Sequence, residues 1–549
     1  MPASDLEDPV TRSDVECVHD RSEPVILRRH AVKLAQARAV HSGRRERVVA
    51  WRRLRVVALE LVALVKHDCP VCDQLLPVLD AAAEGGAPVR VLSQSDAEET
   101  AGQAARLGLS FVPPLDDELA LSQRYDPDAV PALLLLDGGV EQGRVEGIDR
   151  GRLAELAAQA GVTLELDALP ERRPGCASLT RDPRVAASLA ARAARREGRI
   201  RSRPIEIGGL EDPFEALFDR GLTDGLPVVP PTPERVVAML EHTSRDPGDV
   251  VGIVPPYDGE ATVEKVAINA VMAGAPPAAL PVVLAAVEAA CAPEFALHGL
   301  VATTYPAGPT VVVSGPYAQE IGMNAGGNCL GQGNRANLTI GRALQLVVRN
   351  VGGGRPQEED RATHGQMGKV GSCFAELADG APWEPLAQAR GVAAGETGVT
   401  LMATEAPRAI VDQLARDPDG LCASLALALE SVATPKQRLA FDALLVVGPE
   451  HGRVFREAGW DRAQVQAKLH ELTHRRAGDV VRGALGSPEG VDPRFVTDPE
   501  MPVAKFAAAE RILLAYAGGD AGLFSMVFGG WASGEIGSAP VTRSIEPWR

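Results

Sequence analysis

Between residues 53 and 165, short apolar runs alternate with segments whose apolar residues recur at helical spacing. Val56-Val57-Ala58-Leu59-Glu60-Leu61-Val62-Ala63-Leu64-Val65 is too uniformly apolar to leave one face in water, so it predicts a buried strand. A helix is expected from Cys72 to about Glu84, stopped by Gly85-Gly86. Pro88–Leu92 is a second strand, and Asp96–Leu107 a helix with Asp96 as its N-cap. Ala132–Leu136 is a third strand, turning at Asp137-Gly138-Gly139. A short strand through Arg144–Gly147 leads to a last helix from Arg150 to Ala160. Helices interleaved with apolar strands imply an α/β fold whose sheet is covered on both faces.

Beyond residue 165 the pattern changes twice. Residues 166–205 hold Pro, Arg and Ala around a polar helical stretch, Asp182–Arg199, without a wide apolar stripe, and read as a linker. From Ile207 onward, Gly/Pro-rich turns separate short Val-rich strands, so 206–549 is expected to be one larger α/β domain. An internal echo suggests two lobes. Val311-Val312-Val313-Ser314-Gly315-Pro316 and Leu444-Leu445-Val446-Val447-Gly448-Pro449 both run from an apolar strand through Gly-Pro into a helical pattern. Residues 1–52 form a basic leader, expected to lack fixed structure; eleven Lys/Arg face two Glu between Arg21 and Arg55. The alternative for that stretch is an arm that touches an acidic partner.

Composition narrows the function. The 549 residues carry a formal net charge of −17, which argues against general nucleic-acid binding. No uncharged apolar run reaches ~18 residues, so no membrane span is expected, and the leader lacks the apolar core and cleavage site of a secretory signal. Eight cysteines in so long a chain do not make a disulfide framework; their spacing suits a reducing cytoplasm, where a close pair is catalytic or metal-binding.

Cys69-Pro70-Val71-Cys72 is that pair. Cysteines at i and i+3 share one turn at a helix N-terminus, where free N–H groups and the macrodipole favour a thiolate on the first. Half a zinc site looks the same, but no second CxxC completes four ligands and His67 is the one candidate nearby. The neighbouring residues extend the pattern. Pro77 follows five residues after Cys72, and Tyr125-Asp126-Pro127-Asp128-Ala129-Val130-Pro131 precedes the Ala132–Leu136 strand. Residues 53–165 thereby resemble the thioredoxin-like family. The resemblance implies a cis Pro131 facing Cys69 and Cys72 and offering backbone hydrogen bonds to an extended substrate. Two departures stand out: Asp68 replaces the family's Trp, and Ala63 its buried acid. Asp68 disfavours a thiolate on Cys69, whereas Lys66 and His67 favour one.

In the large domain the Gly-rich run 322–337 opens a helix, a physically sound cradle for phosphate or carboxylate. Asn328, Gly331, Gly333, Arg335, Asn337 and Arg342 are its candidate ligand residues; the alternative is tight structural packing. The run matches neither nucleotide fingerprint, so no nucleotide or other cofactor is implied. Cys373, beside Gly371 and Ser372, is the best candidate for a second reactive thiol, against a buried inert cysteine; Cys329 is the next. His451, after the Leu444–Val447 strand, is a candidate acid or base, against a structural role. Gly518-Gly519 and Gly529-Gly530 are expected to line one crevice. Cys291 and Cys422 read as core, and Cys17 and Cys176 fall in leader and linker. Gly331–Asn337 with Ile340–Ala343, Asn350–Gly353 and Gly448–His451 is similar to a bacterial family associated with UGSC-type cysteine- or selenocysteine-containing proteins. That resemblance implies thiol or selenol chemistry and a partner of that kind.

Together these features predict a thiol–disulfide oxidoreductase module fused to a redox-linked domain acting on a small-molecule or protein thiol or disulfide. Two alternatives stay open. One is a redox-sensing adaptor binding a partner or anion; the other is a cysteine-dependent carbon–heteroatom lyase kept reduced by the fused domain.

Overall fold

The computed structural model describes residues 59–532 and 537–549. The basic leader and Cys17 lie outside the described residues. The first elements are β1 (Glu60–Val65), α1 (Pro70–Glu84), β2 (Val89–Ser93), α2 (Ala97–Leu107), α3 (Ala120–Tyr125), β3 (Ala129–Val130), β4 (Ala132–Asp137), β5 (Val140–Glu146), β6 (Ile148–Asp149) and α4 (Arg150–Gln159). The sheet runs β2-β1-β4-β5, with β1 parallel to β2 and antiparallel to β4. This is a thioredoxin-like arrangement. Its apolar runs are explained by burial on both faces: Leu61–Val65 and Ala132–Leu136 are at most 2 % exposed. Helix α1 starts two residues earlier than the sequence suggests, because Cys69 caps it, and it packs Val71, Leu75, Leu76 and Leu79 into the core. Asp96 caps α2 in a reciprocal capping box with Glu99.

The stretch expected to be a linker belongs largely to this module. Leu166 and Leu169 are buried in its core. β7 (Arg172–Arg173) pairs with β6, and β8 (Cys176–Ala177) pairs with β3. α5 (Pro183–Arg196) then buries Ala191 and Ala194 against Val237 of α6 (Pro233–Leu240). The sequence shows no apolar stripe on α5 because its packed face is alanine, which lets helices approach closely without a large hydrophobic signature.

The remainder is a larger α/β domain built on two four-stranded sheets. Its elements are α7 (Val263–Ala273), α8 (Leu280–Cys291), β9 (Gly308–Ser314), α9 (Arg335–Asn350), β10 (Ser372–Ala375), β11 (Gly398–Thr404) and β12 (Arg408–Val411). They continue with α10 (Pro418–Glu430), β13 (Ala443–Val447), α11 (Pro449–Ala458), α12 (Arg462–Leu472), β14 (Ile512–Tyr516), β15 (Phe524–Gly529) and β16 (Val541–Ser544). One sheet is ordered β10-β9-β11-β16, the other β14-β13-β15-β12. In each, a central strand ending in Gly-Pro has one parallel neighbour and one antiparallel neighbour, which carries an antiparallel edge. The two segments that echo one another in sequence are therefore equivalent central strands.

The sheets pack face to face. Val312, Phe374 and Met402 of the first meet Leu444, Val446, Leu513, Ala515 and Phe528 of the second. Val311 and Val313 point the other way, towards α7, α8 and α9, and Leu445 and Val447 towards α10 and α12. The result is four layers, helix–sheet–sheet–helix. Glu376, just past β10, ties the sheets at one end. Its buried carboxylate accepts from Ser314 Oγ at 2.5 Å, Leu386 N–H at 2.6 Å and Tyr516 N–H at 3.2 Å, while Leu377 N–H donates to Tyr516 O at 2.8 Å. Among the described residues no single helix is long and apolar enough to cross a membrane.

Phe374 stacks on Phe528 between the sheets, centroids 6.3 Å apart and planes 14° off parallel. Phe374→Ala should cost the large domain about 3–5 kcal/mol, lowering its urea midpoint in a fluorescence or circular-dichroism titration. An unchanged midpoint would mean that the sheets do not depend on this contact.

Candidate active site

β1 delivers the chain to the head of α1, where Cys69 has extended backbone angles and acts as N-cap. Its sulfur accepts from the Cys72 N–H at 3.1 Å and lies 3.4 Å from the Val130 carbonyl, to which the thiol donates when protonated. The Val130–Pro131 peptide is cis, and the Pro131 carbonyl accepts from Gly147 N–H at 2.8 Å. Cys69, Cys72 and Pro131 thus converge at one edge of the module.

The two cysteines are not equivalent. The Cys69 thiol is held at about 6, chiefly by a hydrogen bond from the Cys72 thiol; burial opposes this, and the Cys176 thiol and the N–H groups of Cys72 and Val71 add to it. Burial, and then the neighbouring Cys69, push the Cys72 thiol far up. At neutral pH the site therefore holds a thiolate on Cys69 and the proton on Cys72, the division of labour a nucleophile and a resolving thiol require. The flanking charges expected to compete over Cys69 are engaged elsewhere: Lys66 pairs with Asp68 at 3.2 Å, and His67 Nδ1 lies 3.1 Å from Glu99 and from Ser95. Ala63 is fully buried mid-strand, so no acid stands at that position beneath the cysteine pair.

Sequence reasoning missed Cys176. β8 sets it opposite Val130 in an antiparallel pair, where burial and the neighbouring Cys69 push its thiol up. The one signal available was the tripeptide Pro174-Gly175-Cys176, a turn followed by a cysteine. Among the described residues no group of three or more His, Cys, Asp or Glu side chains is placed to hold a metal ion.

Most candidates of the large domain prove committed to its fold. Cys373 sits on β10 inside the core, where burial pushes its thiol well up, so the expected second reactive thiol is sealed and protonated. His451 is fully buried, with Nδ1 2.8 Å from Ser525 Oγ and Nε2 3.1 Å from the Asp412 carbonyl. A carbonyl only accepts, so Nε2 is the donor to Asp412. Such a ring is a structural pin, not an open acid or base. Arg335 donates to the carbonyls of Gly274 and Ala275. Asn337 clasps the loop through Asn324 and Cys329. Arg342 makes a two-pronged pair with Asp224 at 2.8 and 2.7 Å and also holds the Leu226 and Pro227 carbonyls. Burial alone would raise the Asp224 carboxyl, but the guanidinium outweighs it and leaves the carboxyl below its ordinary range.

Asn328 and Gly331 do line a cleft, of about 400 Å³, together with Cys329, Pro449, Gly519 and Ser525. Gly518-Gly519 closes against the Gly-rich loop, Gly518 N–H donating to Ala325 O at 2.9 Å. Gly333 is not on this wall, and Gly529-Gly530 is spent on bonds to Glu405 and Asp442.

Two outcomes follow. Thiolate absorbance of the reduced protein at 240 nm should show a step near pH 6, and Cys72→Ala should move it upward. Because Cys69 titrates at about 6 in the fold against 9.0 ordinarily, the reduced protein should gain stability as pH rises from 6 to 9 and lose it as pH falls through 6. Separately, Arg342→Met should lower stability by about 3–5 kcal/mol, since it leaves Asp224 half-buried and unpaired; a variant as stable as the parent in a thermal melt would free Arg342 for a ligand role.

Two solved structures show what the chain is similar to. StoA from Bacillus subtilis is 17% identical with a TM-score of 0.16, and the match covers 18% of this chain and 82% of that one. A secreted Mycobacterium tuberculosis disulfide oxidoreductase, homologous to E. coli DsbE, is 16% identical with a TM-score of 0.17, over 19% of this chain and 81% of that one. No protein-family model and no curated protein matches the sequence. These likenesses reach less than a fifth of the chain.

Proposed function

We propose that residues 60–178 act as a thiol–disulfide oxidoreductase. The observation that carries this reading is the sulfur of Cys69 capping α1, a thiolate at neutral pH beside a protonated Cys72. The Cys69 thiolate attacks one sulfur of a substrate disulfide; that S–S bond breaks and the other sulfur leaves as a thiolate, which takes up a proton. Cys72 gives up its proton and attacks Cys69 Sγ, so that the Cys69–Cys72 bond forms and the second substrate thiol departs. The substrate gains two electrons from the cysteine pair and two protons, one released by Cys72 and one taken from water, since the Cys69 thiolate has none to give.

For the large domain, the cleft at Asn328–Gly331 is where a small thiol, disulfide or related compound would sit, with Cys329 on its wall. A cysteine- or selenocysteine-containing partner protein is the other form such a substrate takes. Relay through Cys373 is not part of this reading, because that thiol is sealed. One observation favours the adaptor alternative: Arg335, Asn337, Arg342, Cys373 and His451 are all engaged in holding the fold, and the thiol of Cys329 on the cleft wall is pushed up by burial.

Cys69→Ser should reduce dithiothreitol-driven reduction of insulin or oxidised glutathione to background, whereas Cys72→Ser should retain the first step and accumulate a mixed disulfide at Cys69. Turnover by Cys69→Ser equal to the parent would overturn the reading.

A further inference from the structure

Both thiols of the Cys69–Cys72 pair are without exposed surface. What covers them is the chain itself. The segment from Glu171 to Ser178 crosses the mouth of the site as a strap, anchored at both ends. At its start, Glu171 O accepts from Arg150 N–H at 3.0 Å, β7 pairs with β6, and Arg172 pairs with Asp149 at 3.0 Å. At its end, Ser178 N–H donates to Asp128 O at 3.0 Å, and Gln94 grips Ser178 Oγ and the Leu179 N–H. In between, Cys176–Ala177 lies antiparallel along Ala129–Val130, where backbone groups beside Pro131 would otherwise receive an extended peptide. The approach is close. A Cβ on Gly175 would stand 2.7 Å from Val130 O, and one on Gly147 would stand 2.6 Å from Gly175 N. Glycine at both positions is what lets the strap lie this deep.

The strap carries a sulfur to the place a substrate sulfur must occupy. Cys176 is paired opposite Val130, whose carbonyl lies 3.4 Å from Cys69 Sγ. We propose that Cys176 is a third redox cysteine, and that the strap is a built-in substrate of the Cys69–Cys72 pair. Cys176, having released its proton to water, attacks the Cys69–Cys72 disulfide at Cys69 Sγ. The Cys69–Cys176 bond forms, the Cys69–Cys72 bond breaks, and Cys72 leaves as a thiolate that takes up a proton. The exchange is electron-neutral and needs no further oxidant, since the disulfide it consumes is the product of the activity proposed above, on which this inference rests. An outside disulfide reaches Cys69 only when the strap lifts. The strap continues into α5, which packs on Val237 of the large domain, so the position of Cys176 is tied to that domain by six residues and one helix.

The test uses the full chain. Cys72→Ser is treated with oxidised glutathione, digested without reduction, and its disulfide peptides are identified by mass spectrometry. Glutathione first adds to Cys69, and Cys176 then displaces it, as expected for a neighbouring thiol at millimolar or higher effective concentration. The expected product is a Cys69–Cys176 peptide. A Cys69–glutathione adduct that persists beside a free Cys176 overturns the inference and leaves the oxidoreductase reading intact. A Cys69 that takes no glutathione at all, in a chain whose circular dichroism is native, overturns both. Gly175→Val, which cannot seat the strap, provides an independent arm. It should raise the rate of iodoacetamide labelling at Cys69 on the order of tenfold or more, as expected when a protecting segment is released. An unchanged rate would show that the strap does not guard the site.

Discussion

Helix α1 is capped by a sulfur instead of an oxygen, and the remaining geometry of the redox edge follows from that contact. To accept from the Cys72 N–H, Cys69 must stand half out of the helix with its sulfur over the first turn. That placement brings it to the Val130 carbonyl, and so fixes how near β3 and β8 must come. The same hydrogen bonds that complete the helix end also hold negative charge on the sulfur, so structure and reactivity are set by one group. A serine in its place would cap the helix equally well and do no chemistry.

The large domain solves a different problem. Two sheets with apolar faces on both sides need four layers, and the duplication of one strand pattern supplies them. Two of its buried cations are held by groups of the loops. Lys505, 2 % exposed, donates to three carbonyls, those of Val432, Thr434 and Gln437, and Arg438 pairs with Glu430 at 2.8 Å. Buried charges of this kind are costly unless every donor is matched. Here the matching is done by loop carbonyls, the groups that Gly/Pro-rich connections leave without ladder partners.

This explains which features were legible in the sequence. Cys69, Cys72, Pro77 and Pro131 belong to local patterns, the β1 and β4 runs are strong because those strands are buried along most of their length, and the more exposed α2 and β5 were marked by the Asp96 cap and the Asp137-Gly138-Gly139 turn. The paired Gly-Pro strands were visible for the same reason. Cys176 was not, because a two-residue strand has no periodicity and its partner, Val130, lies 46 positions earlier in the chain. Arg335, Asn337 and Arg342 looked like ligand residues because polar side chains beside a Gly-rich loop serve a ligand and a loop equally well. Only the positions of Gly274, Asn324 and Asp224 decide between them. Cys373 and His451 were ambiguous for a related reason: only the tertiary packing shows that Cys373 turns to the helices covering its sheet and that His451 is held between Ser525 and the Asp412 carbonyl.

The order of strands along the chain carries one more consequence. β12 follows β11 by three residues yet pairs in the opposite sheet, and β16 follows β15 yet returns to pair with β11, more than 130 residues upstream. The sheet β14-β13-β15-β12 is not whole until residues 524–529 have been made, and the other not until residues 541–544. On a ribosome the redox module, whose sheet spans residues 60–146 and whose strap ends at 178, can close while the larger domain still lacks its edge strands. The cysteines at the head of α1 would then be folded and covered during the whole interval in which the thiols of the unfinished domain are open to stray oxidation.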